Sequence, residues 1–227
     1  MKECKLSPRL QMVADMVEAG SVLVDVGTDH AYLPANLILN STIEKAFAVD
    51  VRKGPLENAG KTAREYGIKD KITLVLSDGL KNVDEGVYNI VLAGMGGTLI
   101  VNILSAVSWI KQKGTRLILQ PQSHTYDVRK FLDENGFEIV RENASFDDGH
   151  CYISLLAEFT GDSKKQSDEY YYIGELCNTK NDASVNFIKK EYNHLNRRYN
   201  GLLLKNEDSQ QLESIKNALE YIKNKLD

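Results

Sequence analysis

The chain has 227 residues, 42% of them hydrophobic and 26% charged, which fits one α/β domain with a small appendage and excludes extensive disorder. Its net charge of −4 excludes a strongly basic domain, so a polyanion would have to bind a local basic stripe. The whole excess of negative charge lies before Gly161, and the segment from Gly161 onward has no net charge.

Short β-rich runs alternate with helical patterns through the first two thirds of the chain. The predicted strands here are Val22–Val26, Ala46–Val49, Ile72–Leu76, Ile90–Ala93 and Arg116–Leu119. The predicted helices are Pro8–Ala19, Tyr32–Leu39, Gly54–Tyr66, Thr98–Trp109 and Tyr126–Asn135. Because each strand is a compact run of Val, Ile and Leu, we expect an α/β fold with a parallel sheet covered on both faces.

Two further predicted strands, Phe137–Asn143 and Tyr152–Phe159, follow with only the loop SFDDGH between them. Strands joined without a crossover helix pair antiparallel or lie apart. Five β/α units followed by such a pair are typical of class I (Rossmann-like) methyltransferases, whose mostly parallel seven-stranded sheet has one antiparallel strand. A dinucleotide-binding dehydrogenase would more often continue with further β/α units.

The last part of the chain is predicted to be helical, after the polar stretch GDSKKQSDE. Apolar residues alternate at spacings of three and four in Val185–Leu202 and Leu212–Leu226, on either side of polar Lys205–Gln210. Such heptads predict an antiparallel coiled-coil hairpin, preceded by a short helix near Asp168–Cys177. The predicted domains are residues 1–160 and residues 161–227.

The first predicted strand runs into a turn, VLVDVGTDHAYLP, with features of a cofactor site. Gly27 permits a tight turn and the close approach of a ligand. A dinucleotide site would have the pattern G-x-G-x-x-G, but here Thr28, Asp29 and His30 occupy that space. The loop suits a smaller ligand with an amino-acid moiety, whose ammonium group would face Asp25 or Asp29. The alternative for such an acidic strand end is a helix cap.

Acidic residues also end the second and third predicted strands. Asp50 follows Asp25 by 25 residues, near the separation typical of a carboxylate that binds ribose hydroxyls. Asp78 is placed to meet an adenine amino group, although Ser77-Asp78-Gly79 is also an ordinary turn sequence. Because parallel strands share one carboxyl edge, the three carboxylates are expected to converge on one crevice.

The fourth predicted strand runs into the glycine-rich sequence AGMGGT, residues Ala93–Thr98. Successive glycines let a planar group lie against the backbone and leave amide groups free to donate; a flexible turn before a helix is the alternative. The segment lacks the Asp/Asn-Pro-Pro-aromatic tetrad of enzymes that methylate exocyclic amines. No cysteine is placed to serve as the nucleophile of a pyrimidine-carbon methyltransferase.

A resemblance to the bacterial tRNA (adenine-N1)-methyltransferase family (TrmK) is carried by LSPRLQMVADMV, VDVGTDHAYLP, the AVD ending at Asp50, SDGL, AGMGG and LILQPQ. It covers the whole predicted methyltransferase domain, and the family also ends in a coiled-coil domain. The resemblance implies S-adenosyl-L-methionine as cofactor and methyl transfer to N1 of the adenine at position 22 of tRNA. It implies tRNA as the partner, and we expect a monomer without a metal.

The family's catalytic residue corresponds to Asp29, whose carboxylate would stabilise positive charge on the adenine and orient its exocyclic amine. The N1 atom has an in-plane lone pair, so no base is needed to expose it. The residues expected to bind the cofactor are Arg9, Asp25, Gly27, Thr28, His30, Asp50, Val51, Asp78, Gly79, Gly94 and Met95. The residues expected to bind the substrate are Tyr32, Gly96, Gly97, Gln120, Lys189, Lys190, Arg197 and Arg198.

Plainer interpretations remain open for some of these residues. Arg9 could form a surface salt bridge or contact RNA phosphate, His30 could order its loop, and Tyr32 could belong to the core. The basic residues of the hairpin could form a solvated face. A methyltransferase acting on a small molecule or a protein, with the hairpin serving dimerisation, is the alternative function, and a scaffold protein with a vestigial pocket is a third.

The three cysteines, Cys4, Cys151 and Cys177, are scattered and form no CxxC pair. This pattern favours a reducing compartment and argues against disulfides and a zinc site. The first residues, MKECKLSPRLQ, lack the apolar core of a secretory signal, and no apolar run is long enough to cross a bilayer. We therefore expect a cytoplasmic location without membrane contact.

Overall fold

The computed structural model describes residues 4–86, 88–205 and 209–226. The strands are β1 Leu23–Val26, β2 Ala46–Asp50, β3 Ile72–Leu76, β4 Asn89–Met95, β5 Arg116–Pro121, β6 Phe137–Asp147 and β7 His150–Phe159. The helices are α1 Pro8–Ala14, α2 Tyr32–Leu39, α3 Lys53–Glu65, α4 Gly97–Ser105, α5 Thr125–Glu134, α6 Tyr170–Ile173, α7 Asp182–Lys205 and α8 Ser209–Leu226. Two short 3-10 turns lie at Lys69–Lys71 and Gly174–Asn178.

The strands form one seven-stranded sheet in the order β3-β2-β1-β4-β5-β7-β6. Strands β1 to β5 pair in parallel, and β7 lies between β5 and β6, antiparallel to both. This arrangement confirms the predicted mostly parallel sheet with an antiparallel seventh strand. The strand order reverses between β1 and β4, and such a switch point opens a crevice at the carboxyl edge of the sheet.

Helices cover both faces of the sheet, and apolar strand residues alternate between two cores. Val24 and Val26 of β1 face one core, and Leu23 faces the other. The expectation that every strand is covered on both faces is wrong for β3, where Leu74 and Leu76 are 43% and 46% exposed. The reason is that β3 forms the edge of the sheet, where α3 contacts Leu74 through Gly60 but covers it only in part.

Several element boundaries differ from the predicted ones. Helix α1 ends at Ala14 instead of Ala19, and α4 ends at Ser105 instead of Trp109. Strands β6 and β7 extend through most of the predicted loop SFDDGH and meet at Asp148 and Gly149. These two residues have φ values of 46° and 73°, as a tight two-residue hairpin turn requires.

Helices α7 and α8 are present as predicted and pack against each other. Their buried residues Ile188, Leu195, Ile215 and Ile222 belong to the same core as Ile153 of β7. The two helices therefore form a further layer over the β6–β7 end of the sheet, and their apolar faces are shared with it. Part of the predicted polar connection, residues 206–208, lies outside the described residues.

The polar stretch between β7 and α6 is held against the sheet domain by Asp133 of α5. Its carboxylate accepts hydrogen bonds from the backbone amides of Gln166 (2.7 Å) and Lys165 (3.2 Å) and from the hydroxyls of Ser163 (3.1 Å) and Tyr171 (2.6 Å). Burial alone would raise the pKa of Asp133, but these bonds favour the charged form and lower it. The stretch is therefore an ordered linker that is held against α5 by these hydrogen bonds.

In the described part of the chain, no helix has the length and apolar character needed to span a membrane. The same residues contain no cluster of three His, Cys, Asp or Glu side chains that could hold a metal ion.

Candidate cofactor and active site

The turn after β1 brings the first group of predicted residues to the carboxyl edge. Gly27 has a φ of +77°, a conformation that favours glycine. The amides of Gly27 and Thr28 both donate to the carbonyl of Val49, at 2.8 and 3.1 Å. The hydroxyl of Thr28 accepts from the amide of Ala31 at 3.2 Å. The turn is thereby tied to β2 and to the start of α2.

Asp25 lies in β1 with its side chain buried, 8% of the residue being exposed. Burial raises the pKa of its carboxyl group to about 6, and a hydrogen bond with Thr28 acts in the opposite direction. A carboxyl group with this pKa changes its charge in the mildly acidic range. It can therefore pair with a cation mainly above that range.

Asp29, His30 and Tyr32 form a polar group at the mouth of the crevice. The Asp29 side chain is 72% exposed, and its Oδ2 lies 3.5 Å from Nε2 of His30. The rings of His30 and Tyr32 are stacked, with centroids 5.3 Å apart and planes inclined by 10°. Tyr32 is 45% exposed, so it is not a core residue. An accessible carboxylate thus stands beside two exposed rings.

The carboxylates of Asp50 and Asp78 lie beyond Asp25 along the same sheet edge. Asp50 is buried, and its Oδ1 accepts a 2.8 Å hydrogen bond from the amide of Arg52. Asp78 is exposed, and its Oδ2 accepts from Nζ of Lys81 at 2.6 Å. Val51, which directly follows Asp50 in the chain, is largely uncovered, at 62% exposed.

The glycine-rich segment that spans the end of β4 and the start of α4 contributes another wall. Gly94 has a φ of +76° and lies at a bulge between β4 and β5. Gly96 precedes α4, and the amide of Gly97 donates to the carbonyl of Ser123 at 2.9 Å. The expectation of free amide donors is therefore wrong for Gly97. Its role is close packing, since a side chain there would overlap the backbone of Ser123 and His124.

Arg9 reaches this wall from α1 and is paired with Gln120 at the end of β5. Nη1 of Arg9 donates to Oε1 of Gln120 at 2.7 Å, and Nε2 of Gln120 donates to the Arg9 carbonyl at 3.3 Å. The guanidinium lies 5.5 Å from the ring centroid of Tyr152 in β7 and beside Gly94. Arg9 takes part in no ion pair within the described residues, so the salt-bridge interpretation is not supported. Gln120 is fully buried and meets Arg9.

The basic residues predicted to bind RNA lie on a different part of the molecule. Four residues on α7, which packs against β6 and β7, are exposed: Lys189, Lys190, Arg197 and Arg198. Of these four, only Arg198 lines a cleft between α7 and the segment that follows β5. The remaining predicted residues, Gly79 and Met95, lie at the ends of β3 and β4 and so at the carboxyl edge.

Known proteins match both the domain and the whole fold. Residues 6–155 match a family described as a methyltransferase domain. The chain is 38% identical over 159 residues to the tRNA (adenine(22)-N(1))-methyltransferase of Bacillus subtilis strain 168, an alignment that covers 70% of this chain and 67% of that protein. The chain belongs to this family of bacterial tRNA methyltransferases, TrmK.

Solved structures extend the TrmK match through the C-terminal helices. The B. subtilis m1A22 tRNA methyltransferase TrmK superposes with a TM-score of 0.86 at 31% identity, covering 99% of this chain and 100% of that one. A Streptococcus pneumoniae protein in complex with S-adenosyl-L-methionine gives a TM-score of 0.82 at 32% identity, covering 98% of this chain and 100% of that one. The helical layer of α7 and α8 is therefore part of the shared TrmK fold.

The residues at the edge of this TrmK sheet fit S-adenosyl-L-methionine, the cofactor of the family. Asp25 offers a carboxyl group to an ammonium group, and Gly27 leaves the backbone accessible. Among the described residues, none donates to the second oxygen of Asp50, which leaves an acceptor for ribose hydroxyls. The uncovered side chain of Val51 provides an apolar surface for an adenine ring.

The sequence did not identify the aromatic side chains next to the crevice. Tyr152 supports Arg9, and Tyr126 and Phe187 line the neighbouring cleft. Three of the four histidines, His124, His150 and His194, also line it. A weak signal was available, since each histidine lies close to a tyrosine in the sequence. Their convergence depends on contacts between distant elements.

Proposed function

We propose that the chain transfers the methyl group of S-adenosyl-L-methionine to N1 of the adenine at position 22 of tRNA. The observation that carries this conclusion is the match to TrmK over nearly the whole fold, helical layer included, together with an acidic carboxyl edge that fits the cofactor. The cofactor supplies an electrophilic methyl group, and the substrate adenine supplies the lone pair that attacks it.

Asp29 is the proposed catalytic residue. Methylation at N1 leaves a positive charge on the adenine ring, and a carboxylate beside the ring favours that charged state over the neutral ground state. Its exposure at the mouth of the crevice lets it reach an RNA base, and His30 at 3.5 Å restricts its position. No base is required, because N1 of adenine carries no proton near neutral pH.

Tyr32 and Arg9 are proposed to position the adenine. The stacked pair of His30 and Tyr32 offers an aromatic surface at the mouth, which suits a base removed from its stack in folded RNA. Arg9 supplies a cation at the wall formed by the glycine-rich segment, held by Gln120. Gly96 and Gly97 are also proposed to contact the substrate. The Gly97 amide takes no part in this contact, because it donates to the carbonyl of Ser123.

The packing of the hairpin disfavours the alternative function. A methyltransferase that dimerised through α7 and α8 would need their apolar faces for a second copy. Leu195 and Ile222 on these faces are buried within the same chain. We therefore propose that the protein acts as a monomer. We also propose that it acts in the cytoplasm, because tRNA is found there and its free cysteines suit a reducing compartment.

The test is methylation of unmodified tRNA with tritiated cofactor, followed by nucleoside mass spectrometry. We expect labelled 1-methyladenosine at position 22, and no labelling across a complete tRNA set would contradict the proposal. Calorimetry with S-adenosylhomocysteine would show that the protein used is folded and binds cofactor.

The variant Asp29→Ala should lower kcat by at least about a hundredfold, in the range seen when one electrostatic stabiliser of a transition state is removed. Its affinity for S-adenosylhomocysteine should change little. Asp70→Ala is the matched control, since Asp70 is an exposed carboxylate before β3. Normal turnover in Asp29→Ala would remove this residue from the mechanism.

A further inference from the structure

A large cleft, which we call the hairpin cleft, lies between the segment Pro121–Asp127, the start of β7 and the helices α7 and α8. Its volume is about 1120 Å³, above the roughly 300–1,000 Å³ of pockets that take one small ligand. We propose that the hairpin cleft binds unpaired bases of the tRNA that adjoin the target adenine. This inference rests on the proposed function and adds a second RNA site beside the catalytic edge.

The walls of the hairpin cleft carry aromatic rings suited to base stacking. Tyr126 and Tyr172 lie with ring centroids 4.8 Å apart and planes inclined by 48°. The hydroxyl of Tyr126 donates to Asp168 at 2.9 Å, which fixes the ring. Tyr152 and Phe187 line other parts of the wall and are partly exposed. Every nucleobase has a face that stacks on such rings, whatever its identity.

The charge of the lining favours bases over phosphates. Among the described residues, the lining contains three carboxylates, Asp127, Asp168 and Glu191, against one permanent cation, Arg198. Lys130 lies 3.8 Å from Asp168 and balances its charge, which leaves Asp127 and Glu191 to disfavour a phosphodiester. Carboxylates accept hydrogen bonds from the amino groups of neutral bases. Imidazole rings add further groups that donate, accept and stack. Lys189 and Lys190 do not line the cleft, and they remain available for phosphates.

The hairpin cleft is continuous with the catalytic edge through Tyr152. This ring lines the cleft and also lies 5.5 Å from the Arg9 guanidinium. Arg9 in turn is beside Gly94, at the wall of the crevice. A strand of RNA that places one base at the crevice would therefore pass its neighbouring nucleotides over Tyr152 and into the cleft. Bases that are already unpaired can enter without breaking a duplex.

Two exposed histidines on opposite walls provide the test. His150 is the first residue of β7 and His194 lies on α7, and both are exposed, so their replacement should leave the core intact. The double variant His150→Ala/His194→Ala should weaken tRNA binding between about fivefold and a hundredfold, the range for loss of one base–aromatic stack. The matched control is Asn193→Ala, because Asn193 is exposed on the same helix but does not line the cleft.

Abasic substitutions in the RNA identify what occupies the cleft. The wild-type protein should lose affinity for tRNA that lacks a base at an unpaired position next to the target, and the double variant should show no further loss. Affinity for S-adenosylhomocysteine should be the same in all proteins. The proposal would be overturned if the double variant bound intact tRNA with an affinity within twofold of wild type. It would also be overturned if the abasic substitution lowered the affinity of the double variant as much as it lowers that of the wild type.

The same measurements separate this inference from the proposed function. If the wild-type protein methylates adenine 22 and the double variant binds tRNA normally, only the hairpin-cleft site is wrong. If the wild-type protein binds cofactor but neither binds nor methylates any tRNA, both proposals fail.

Discussion

Asp25 lies in an environment unlike that of an ordinary surface carboxylate. Its carboxyl group has a pKa of about 6 in the folded chain because burial disfavours the charged form, whereas an unfolded chain would show about 3.9. A raised pKa means that the neutral form stabilises the fold. That contribution is complete below about pH 3.9 and is lost as the pH rises through about 6. A bound cation would favour the ionised form of Asp25 and lower this pKa.

Cofactor affinity should therefore depend on pH through Asp25. The ammonium group of the cofactor would pair with the ionised carboxylate, so the Kd for S-adenosylhomocysteine should rise by about tenfold for each pH unit below about 6. Calorimetry between about pH 5 and about pH 8 measures this slope. Asp25→Asn should bind more weakly with a flat profile, whereas Asp78→Asn should keep the slope. A flat profile in the wild-type protein would exclude an ionic role for Asp25.

At the scale of elements, a buried ion pair joins the sheet domain to the C-terminal segment. Arg129 of α5 and Glu142 of β6 are both inaccessible, and Nε of Arg129 donates to Oε1 of Glu142 at 2.8 Å. Nη1 of Arg129 donates to the carbonyls of Tyr171 and Tyr172, each at 2.9 Å. Glu142 also accepts from the Glu175 amide at 2.6 Å. Burial raises the pKa of Glu142, and Arg129 opposes that rise.

Removal of one partner of this pair should be strongly destabilising. Arg129→Met leaves the Glu142 carboxyl group buried without its cation and should lower the free energy of unfolding by about 3–5 kcal/mol. Arg129→Met/Glu142→Gln should recover much of the loss, because the amide is uncharged and still accepts from Glu175. Urea denaturation provides the measurement.

The exposed pair of Lys164 and Glu138 serves as the control for this prediction, since Lys164 is 54% exposed. Lys164→Met should change the free energy of unfolding far less than Arg129→Met does, because an exposed ion pair is screened by solvent. Equal effects of Arg129→Met and Lys164→Met would show that the buried pair does not hold the C-terminal segment in place.

Local patterns in the sequence predicted the elements and the acidic edge, because strand ends and helix periodicity depend on neighbouring residues. They did not predict contacts between distant residues. Arg9 and Gln120 are 111 positions apart, and nothing near Gln120 indicated that its side chain would be buried against an arginine. The sequence also did not predict the length of the β6–β7 turn, because Asp148 and Gly149 lie in a polar segment and are as typical of a loop as of a tight hairpin. The heptads predicted two helices but not that their apolar faces cover β7.

At the scale of the whole molecule, a net charge of −4 has to be reconciled with a polyanionic substrate. Four acidic residues, Asp25, Asp29, Asp50 and Asp78, lie at or next to the carboxyl edge of the sheet, where the proposed function assigns them to the cofactor and the target base. Exposed cations lie on α7, which flanks the hairpin cleft. This separation suits an RNA whose bases enter the polar interior while its phosphates stay outside. The total charge therefore says less about RNA binding than the position of each cation.

Salt dependence can show which lysines meet phosphates. Lys189→Ala/Lys190→Ala and Lys69→Ala/Lys71→Ala each remove two exposed lysines, so both change the net charge equally and differ only in place. Lys69 and Lys71 precede β3, at the amino edge of the sheet and away from the crevice. Because each phosphate contact releases counterions, loss of two contacts should reduce the slope of log K against log salt by about 1.4 to 1.8. We expect that reduction for the α7 variant alone, in tRNA-binding titrations at several salt concentrations, with unchanged affinity for S-adenosylhomocysteine. Equal slopes for the two variants would instead assign the α7 lysines to a solvated face, because a purely global charge effect does not depend on where the charges lie.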